Sequence, residues 1–484
     1  VKADALHPQA QDRVLSTLEQ DGSRRWLYPR LSKGRFWSRR RWVAYGLLAL
    51  FTLVPFLRIN GKPVILLDLA RRHFTFLGIT FLPTDTALLA LFMLIVLLSI
   101  FFITAMLGRV WCGWACPQTV YMEYVFRPIE RLFTGRNGKG GTPTKDVAGW
   151  RKGAMYAAYL LICLHLANTF LAYFVPASIL NGWITSSPAA HPAGFIIVLI
   201  ITGLMLFNFA WFREQTCIIA CPYGRLQSVL LDKQSLIISY DAKRGEPRTR
   251  ATRSALSLPV IERSGGGGDC VDCSLCVQVC PTGIDIRDGL QVECVGCAQC
   301  IDACDAVMER IHRPLGLIRY SSESAMAGER QRILRPRVVI YSVIIVVLGS
   351  LLGVLLATRS AADVTVLRNV GRPFVVGNDG MVENTMRIKI TNRTDRTHVY
   401  RLNVVKPSEA RAVMAHDSIT VAAGESITEP VRIFVPVGQF GLGHLDVSLL
   451  IEGEDELRID RECRLLGPMS AGAQDSSTGA SHER

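Results

Sequence analysis

Eight of the chain's fourteen cysteines fall in two consecutive runs of a single spacing. Cys270, Cys273, Cys276 and Cys280 are followed by Pro281, and Cys294, Cys297, Cys300 and Cys304 by Asp305. Both runs read C-x2-C-x2-C-x3-C, the ligand spacing of paired four-iron clusters in which the fourth cysteine of each run serves the other cluster. Two-residue gaps let three thiolates converge on three irons of one cubane from a tight loop, and the fourth, starting a helical turn, reaches across. This assigns Cys270, Cys273, Cys276 and Cys304 to one [4Fe–4S] cluster, and Cys294, Cys297, Cys300 and Cys280 to the other. A zinc knuckle would pair two C-x2-C halves, and a disulfide framework would need an oxidising compartment. The spacing therefore predicts one-electron chemistry.

The remaining composition sets the location. Of 484 residues, 49% are hydrophobic and the mean hydropathy is +0.26, values that point to a membrane protein with soluble parts. Five apolar stretches are candidates to cross the ~30 Å hydrocarbon core: Trp42–Leu57, Asp85–Leu107, Ala154–Val175, Gly194–Phe212 and Val338–Ala357. The first is the shortest and contains Pro55. The polar, basic residues before it lack the pattern of a cleavable signal peptide. Arg35, Arg39, Arg40 and Arg41 precede the first stretch. Arg127, Arg131, Arg136, Lys139, Lys145, Arg151 and Lys152 separate the second and third. Arg330, Arg332, Arg335 and Arg337 crowd the fifth, whereas Pro176–Ala193 has no Lys or Arg. By the positive-inside rule the N-terminus and the cluster segment are cytoplasmic and the C-terminal domain is periplasmic. Arg58, Lys62, Arg71 and Arg72, after the first stretch, run against this pattern.

The net charge of +13 does not signal nucleic-acid binding. From Ala361 onward there are fourteen Lys and Arg against seventeen Asp and Glu, so the basic excess is membrane-proximal, where anionic lipid attracts it.

Two further cysteine pairs repeat. Arg109-Val-Trp-Cys112-Gly-Trp-Ala-Cys116-Pro117 follows the second stretch, and Arg213-Glu-Gln-Thr-Cys217-Ile-Ile-Ala-Cys221-Pro222 follows the fourth. Each is an arginine, then C-x3-C-P, at the expected cytoplasmic end of a span, so two-helix units form an internal repeat. The proline suits the first turn of a new helix. Four thiolates gathered there would hold a soft metal such as Cu(I) or an additional cluster, or act as redox dithiols. Small residues packing a helix–loop corner are the plainer alternative.

Other residues carry less. Cys163 and His165 lie inside the third stretch without a second histidine to complete a site and read as packing residues; Cys463, alone in the exported segment, reads as a buried or free thiol. Trp111, Trp114, Phe207, Phe209, Trp211 and Phe212 fit an interfacial aromatic belt.

The expected domains are a basic N-terminal segment (1–40), a four-span membrane domain (41–240), a flexible Arg/Ser/Gly linker (241–269), a ferredoxin-type module (270–320), a basic segment with the fifth span (321–358), an all-β domain (363–466) and a disordered tail (467–484). The all-β domain shows period-two alternation in Met386-Arg-Ile-Lys-Ile-Thr391, Ser418-Ile-Thr-Val421, Val431-Arg-Ile-Phe-Val435 and Leu445-Asp-Val-Ser-Leu-Leu450. With turns at Asn378-Asp-Gly380 and Ala423-Gly424, about seven strands in ~100 residues predict an immunoglobulin-like sandwich. The fold class is thus multidomain: an α-helical transmembrane bundle, a two-cluster module and a β-sandwich.

This order of parts resembles the cytochrome c oxidase accessory protein family CcoG, also called FixG or RdxA/RdxB. Local strings carry the likeness: Ser239-Tyr-Asp241 with Arg244-Gly-Glu-Pro-Arg248, Cys280-Pro-Thr-Gly-Ile-Asp-Ile-Arg-Asp-Gly289, Cys300-Ile-Asp-Ala-Cys-Asp305 and Gly316-Leu-Ile-Arg-Tyr320. It extends over about Trp26–Leu466. The C-x3-C-P pair alone is shared with NapH- and NosR-like membrane ferredoxins, but the sandwich and the Asp305 ending are not. The resemblance implies an oxidoreductase of the bacterial inner membrane, acting in assembly of the cbb(3)-type cytochrome c oxidase by reducing Cu(II) to Cu(I). Its partners would be membrane lipid, oxidase assembly factors, copper-handling proteins and an unidentified electron donor. Two other readings stay open: a quinol–ferredoxin carrier serving a periplasmic reductase, and a non-enzymatic scaffold with redox-sensing clusters. No C-x-x-C-H haem motif is present to support the carrier.

Overall fold

The computed structural model describes residues 16–469 apart from 20, 22, 60, 136–146, 249–266, 331–333, 370, 395 and 454–456. The described residues form two compact units: those up to Ile79 together with Leu89–Leu351, and Thr80–Leu88 together with those from Leu352 onward.

Among the described residues four helices are long and apolar enough to cross a membrane: Pro83–Leu107, Gly149–Leu171, Pro192–Phe212 and Pro336–Ala357. The first is apolar on every side along most of its length, as expected where lipid replaces water. The expected first span, Trp42–Leu57, departs from this. A helix does form at α1 (Arg35–Leu53), but its first two turns carry four arginines, leaving only Trp42–Leu53 apolar before the Pro55 turn. Two turns of α1 therefore lie among polar groups. Short strands at Arg58–Ile59, Lys62–Pro63, Ile65–Asp68, His73–Phe76 and Ile79–Phe81 follow; of the four basic residues that run against the charge pattern, Arg58 and Lys62 lie in strands and Arg71 and Arg72 in the turn before His73.

The helices α2 (Gly149–Leu171) and α3 (Pro192–Phe207) pack against each other. Around them Tyr121, Met122, Phe126, Met155, Tyr159, Cys163, Leu166 and Phe209 form one core. The Phe126 and Phe209 rings stack at 4.2 Å, and Tyr159 Oη donates to the Phe126 carbonyl at 3.0 Å. This core joins the segment after the first C-x3-C-P motif to the segment before the second. Cys163 is fully buried in it, a packing residue.

The cluster module is broader than the expected 270–320. Strand β1 (Ile237–Tyr240) pairs antiparallel with β2 (Ile318–Ser321), and Asp241 caps the turn Ala242–Gly245. Arg244 then pairs with Asp269 at 2.5 Å, so the first eight residues of the expected linker are structured and belong to the module; 249–266 lie outside the described residues. The segment before α1 is also anchored. Arg30 N donates to the Gln278 carbonyl at 2.8 Å, and Ser16 Oγ to that of Thr282 at 2.7 Å.

Among the described residues of the second unit nine strands build two sheets, two more than expected. They are β3 (Ala362–Arg368), β4 (Val375–Val376), β5 (Met381–Asn392), β6 (His398–Lys406), β7 (Arg411–Val413), β8 (Ile419–Val421), β9 (Ser426–Pro436), β10 (Leu442–Gly453) and β11 (Arg458–Met469). One sheet runs β7-β9-β5-β3, with β4 also on β5; the other runs β8-β6-β10-β11. Inward residues such as Ile388, Ile390, Ile433, Val447 and Leu449 make the core, which also receives Cys463. Most of the expected tail lies outside the described residues, and its first residues complete β11. At the base of this unit the buried Asp85 accepts from Arg359 and pairs with Arg393 at 2.8 Å.

Candidate iron–sulfur and thiol site

The two cysteine runs fold around two cavities. One is lined by Cys270, Cys273, Cys276 and Cys304. The other is lined by Cys280, Cys294, Cys297 and Cys300, and Cys276 also reaches it. Each therefore receives three cysteines of one run and the last of the other. The chain reaches this arrangement through left-handed residues: Asp272, Ser274, Gly296 and Ala298 all have positive φ. Ser274 and Ala298 open the helices Leu275–Gln278 and α4 (Gln299–Arg310). Three loop N–H groups then point at sulfur: Leu275 donates to Cys273, Gly296 to Cys294 and Gln299 to Cys297. Such donors favour the thiolate, and iron binding displaces the thiol proton.

Among the described residues no group of three or more His, Cys, Asp or Glu side chains is placed to hold a single metal ion. A cubane binds each thiolate through a different iron, so its ligands stand farther apart than those of one ion. Four sulfurs around an apolar cavity fit a four-iron cluster in each case.

The membrane-edge cysteines also come together. Cys112 lies in the short helix Val110–Trp114, and Cys116 precedes the helix Pro117–Tyr121, which has its proline in the first turn. Cys217 lies in a π-turn at Thr216–Ala220, and Cys221 precedes the helix Pro222–Leu230 in the same way. Each of the four thiols is within electrostatic reach of the other three. Cys112 Sγ donates to Gln227 Oε1 at 3.0 Å, Thr119 interacts with Cys217, and the Gln118 and Thr119 N–H groups donate to Cys116. Burial pushes the Cys112 and Cys217 thiols up to about 12, so without metal they stay protonated at neutral pH. The absence of a compact single-ion group applies to these four cysteines too.

The two regions touch. A Cβ on Gly113 would lie 2.7 Å from the Gly296 carbonyl, and one on Gly296 would lie 3.1 Å from the Arg109 carbonyl. Trp114 Nε1 donates to Tyr320 Oη at 3.0 Å, and Tyr320 Oη to the Gly296 carbonyl at 2.7 Å. Arg109 donates to the carbonyls of Val292, Cys294 and Gly224, tying both repeats to the second cysteine run.

Sequence reasoning missed a buried charge network. Arg127 pairs with Glu123 and, at 3.6 Å, with Glu214; Arg213 grips Glu130 with two 3.0 Å bonds; Arg24 reaches Glu214 at 3.3 Å. Arg127 also donates to the Pro281 carbonyl, and Gln299 to Glu123, so the network abuts the second cavity. Arg213 holds a left-handed φ of 52°, a signal no sequence pattern carries. The aromatic residues divide: Phe209 is core, Trp114 is hydrogen-bonded, and Trp111, Phe207 and Trp211 are exposed, as an interfacial belt requires.

Comparison with known proteins matches three parts of the chain. A 4Fe-4S dicluster domain matches residues 212–323, a 4Fe-4S binding domain 89–136, and the IG-like fold at the C-terminal of FixG 352–468. The chain is 33% identical to protein RdxB and 32% to protein RdxA of Cereibacter sphaeroides, in each case over 85% of this chain and 89% of the relative. It is 31% identical to the nitrogen fixation protein FixG of Rhizobium meliloti, over 89% of this chain and 90% of FixG. Among solved structures, the FixG-related protein from Vibrio parahaemolyticus aligns over 23% of this chain and all of its own length, at 20% identity and a TM-score of 0.21.

Proposed function

The chain belongs to the FixG and Rdx family of iron–sulfur electron-transfer proteins, and from that premise we propose that it delivers single electrons to Cu(II) at the group formed by Cys112, Cys116, Cys217 and Cys221. The observation that carries this reading is the contact between Gly113 and Gly296, which sets Cys112 one residue away from the loop of the second cysteine run. When bound, the two clusters supply one-electron storage, held by Cys270, Cys273, Cys276 and Cys304 and by Cys280, Cys294, Cys297 and Cys300. The substrate Cu(II) takes up one electron and becomes Cu(I), a soft ion that favours thiolates. Gln227 and the Gln118 and Thr119 N–H groups orient the thiols, and each thiol that binds copper releases its proton. Arg109 fixes the distance between the repeats and the cluster loop.

In the cell this activity would feed copper to the centre of a cbb(3)-type cytochrome c oxidase. The distribution of Lys and Arg supports an inner-membrane protein with cytoplasmic clusters and a periplasmic sandwich, the latter free to dock assembly factors. The test is anaerobic: chemically reduced, purified protein is mixed with Cu(II), and Cu(I) is trapped by a chromogenic chelator. Up to two Cu(I) per chain, one for each cluster electron, supports the proposal. Fast oxidation by a quinone analogue with no Cu(I) formed would turn the reading toward a quinol–ferredoxin carrier.

A further inference from the structure

Arg40 is the largest fully buried side chain among the described residues, 1% exposed, in a stretch that reads as a solvated basic run. Its position is built. The helix α4, which carries Cys300 and Cys304, presents Asp302 to the N-terminus of α1, where its carboxylate accepts from Phe36 N at 3.1 Å and Trp37 N at 2.7 Å. One turn later Arg40 Nε donates to the Gly113 carbonyl at 2.8 Å, at the point where Gly113 meets Val295 and Gly296. The guanidinium carbon stands 5.7 Å from the Tyr124 ring centre. Both terminal nitrogens, Nη1 and Nη2, are buried without a protein acceptor. Leaving such donors unmatched is costly, and Arg40 lies within electrostatic reach of Cys297, one of the cysteines that would hold the second cluster.

The two cavities differ in the charges around them. Beside the first, Arg287 is held by Asp285 and Asp272, each at 2.6 Å. Asp269 pairs there with Arg244 and Arg313. Beside the second, Arg40 and Arg109 make no ion pair among the described residues, and Arg109 spends its donors on neutral carbonyls. The neighbouring network of Arg24, Arg127 and Arg213 with Glu123, Glu130 and Glu214 is balanced, three against three.

Net charge and hydrogen bonds to sulfur set the potential of an iron–sulfur cluster. We infer that Arg40, assisted by Arg109, makes the cluster of Cys280, Cys294, Cys297 and Cys300 the higher-potential member of the pair, so that the electron rests beside Cys112. Arg40 is a positioning residue for charge, and its role rests on the two-cluster reading above.

The experiment is an EPR-monitored redox titration of the full-length protein in detergent. Two midpoints are expected, and Cys300→Ser should abolish the higher one. Arg40→Gln should lower that midpoint so that the reduced-to-oxidised ratio at a fixed potential falls about tenfold, ~59 mV for a one-electron couple. Arg40→Lys should stay near wild type, and Asp285→Asn should raise the other midpoint. Loss of the lower midpoint in Cys300→Ser overturns the inference. So does an Arg40→Gln protein that keeps its iron while shifting neither midpoint or both equally. If Arg40→Gln fails to load iron, the wild-type order and Asp285→Asn decide alone. Fewer than about eight irons in the wild type would defeat the two-cluster reading itself.

Discussion

Gly113 packs so closely on the Gly296 carbonyl that it has no room for a methyl group without displacing backbone. A Cβ on Gly113 would lie 2.7 Å from the Gly296 carbonyl carbon and oxygen and 2.8 Å from the Val295 oxygen. These are main-chain atoms of the second cysteine run, so no rotamer change relieves the clash. Overpacking of this kind typically costs ~1–3 kcal/mol. Gly113→Ala should therefore push the Cys112 loop away from the cluster loop, retain iron, and slow electron delivery to Cu(II) at least severalfold in stopped flow. Gly296→Ala should be worse, because it adds the strain of a side chain at φ +68°. Wild-type rates in both variants would remove this contact from the electron path.

The crossed ligand sets make a separate claim. Cys280 sits in the first run but lines the cavity of Cys294, Cys297 and Cys300. Cys280→Ser should thus damage the cluster of the second run, and Cys304→Ser that of the first, each seen as selective loss of one EPR signal. Loss of the same-run cluster in either variant would refute the assignment.

What could be read from the chain and what could not divides by range. Within a cysteine run every ligand is placed by two or three neighbouring residues, so spacing alone describes the loop. Alternation from Met386 to Thr391 likewise announces a strand with one buried face. Val375–Val376 and Arg411–Val413 are too short to show a period, which is why nine strands read as seven. Arg40 was illegible for a different reason. Its burial depends on Asp302, 262 positions later, capping the helix that carries it. A run of arginines before an apolar stretch looks like a cytoplasmic anchor until that tertiary contact is known. The meeting of the two C-x3-C-P motifs was open on sequence because it depends on Phe126 stacking on Phe209, two side chains from different halves of the repeat.

Asp85 tests the second unit. It is 3% exposed and serves both Arg359 and Arg393, with Asp363 a further 3.8 Å partner of Arg393. Removing one partner of a buried ion pair usually costs ~3–5 kcal/mol, because the remaining charge is left uncompensated. Asp85→Ala should destabilise the sandwich by about that amount, visible as a lower thermal midpoint and faster proteolysis within residues 360–469. Iron content should be unchanged. A loss below ~1 kcal/mol would mean that water or Asp363 satisfies both arginines.

The four membrane-edge thiols decide the function. Cys112, Cys116, Cys217 and Cys221 each interact with the other three, so as one soft-metal group they should fail together. Each single Cys→Ser change leaves three thiols, and each should lower Cu(I) affinity and Cu(II) reduction about equally, with cluster iron near wild type. A double change across the repeats, such as Cys112→Ser with Cys217→Ser, should add little, since losses that fail to add mark groups acting as a unit. Additive losses within each C-x3-C pair would instead identify two independent dithiols. In cells, the variants should lose oxidase activity most when copper is scarce and regain it when copper is supplied, because abundant copper bypasses a delivery step but not a missing electron carrier. If copper restores nothing while the purified variants still reduce Cu(II) normally, the four cysteines are packing residues, and the site of copper reduction lies elsewhere.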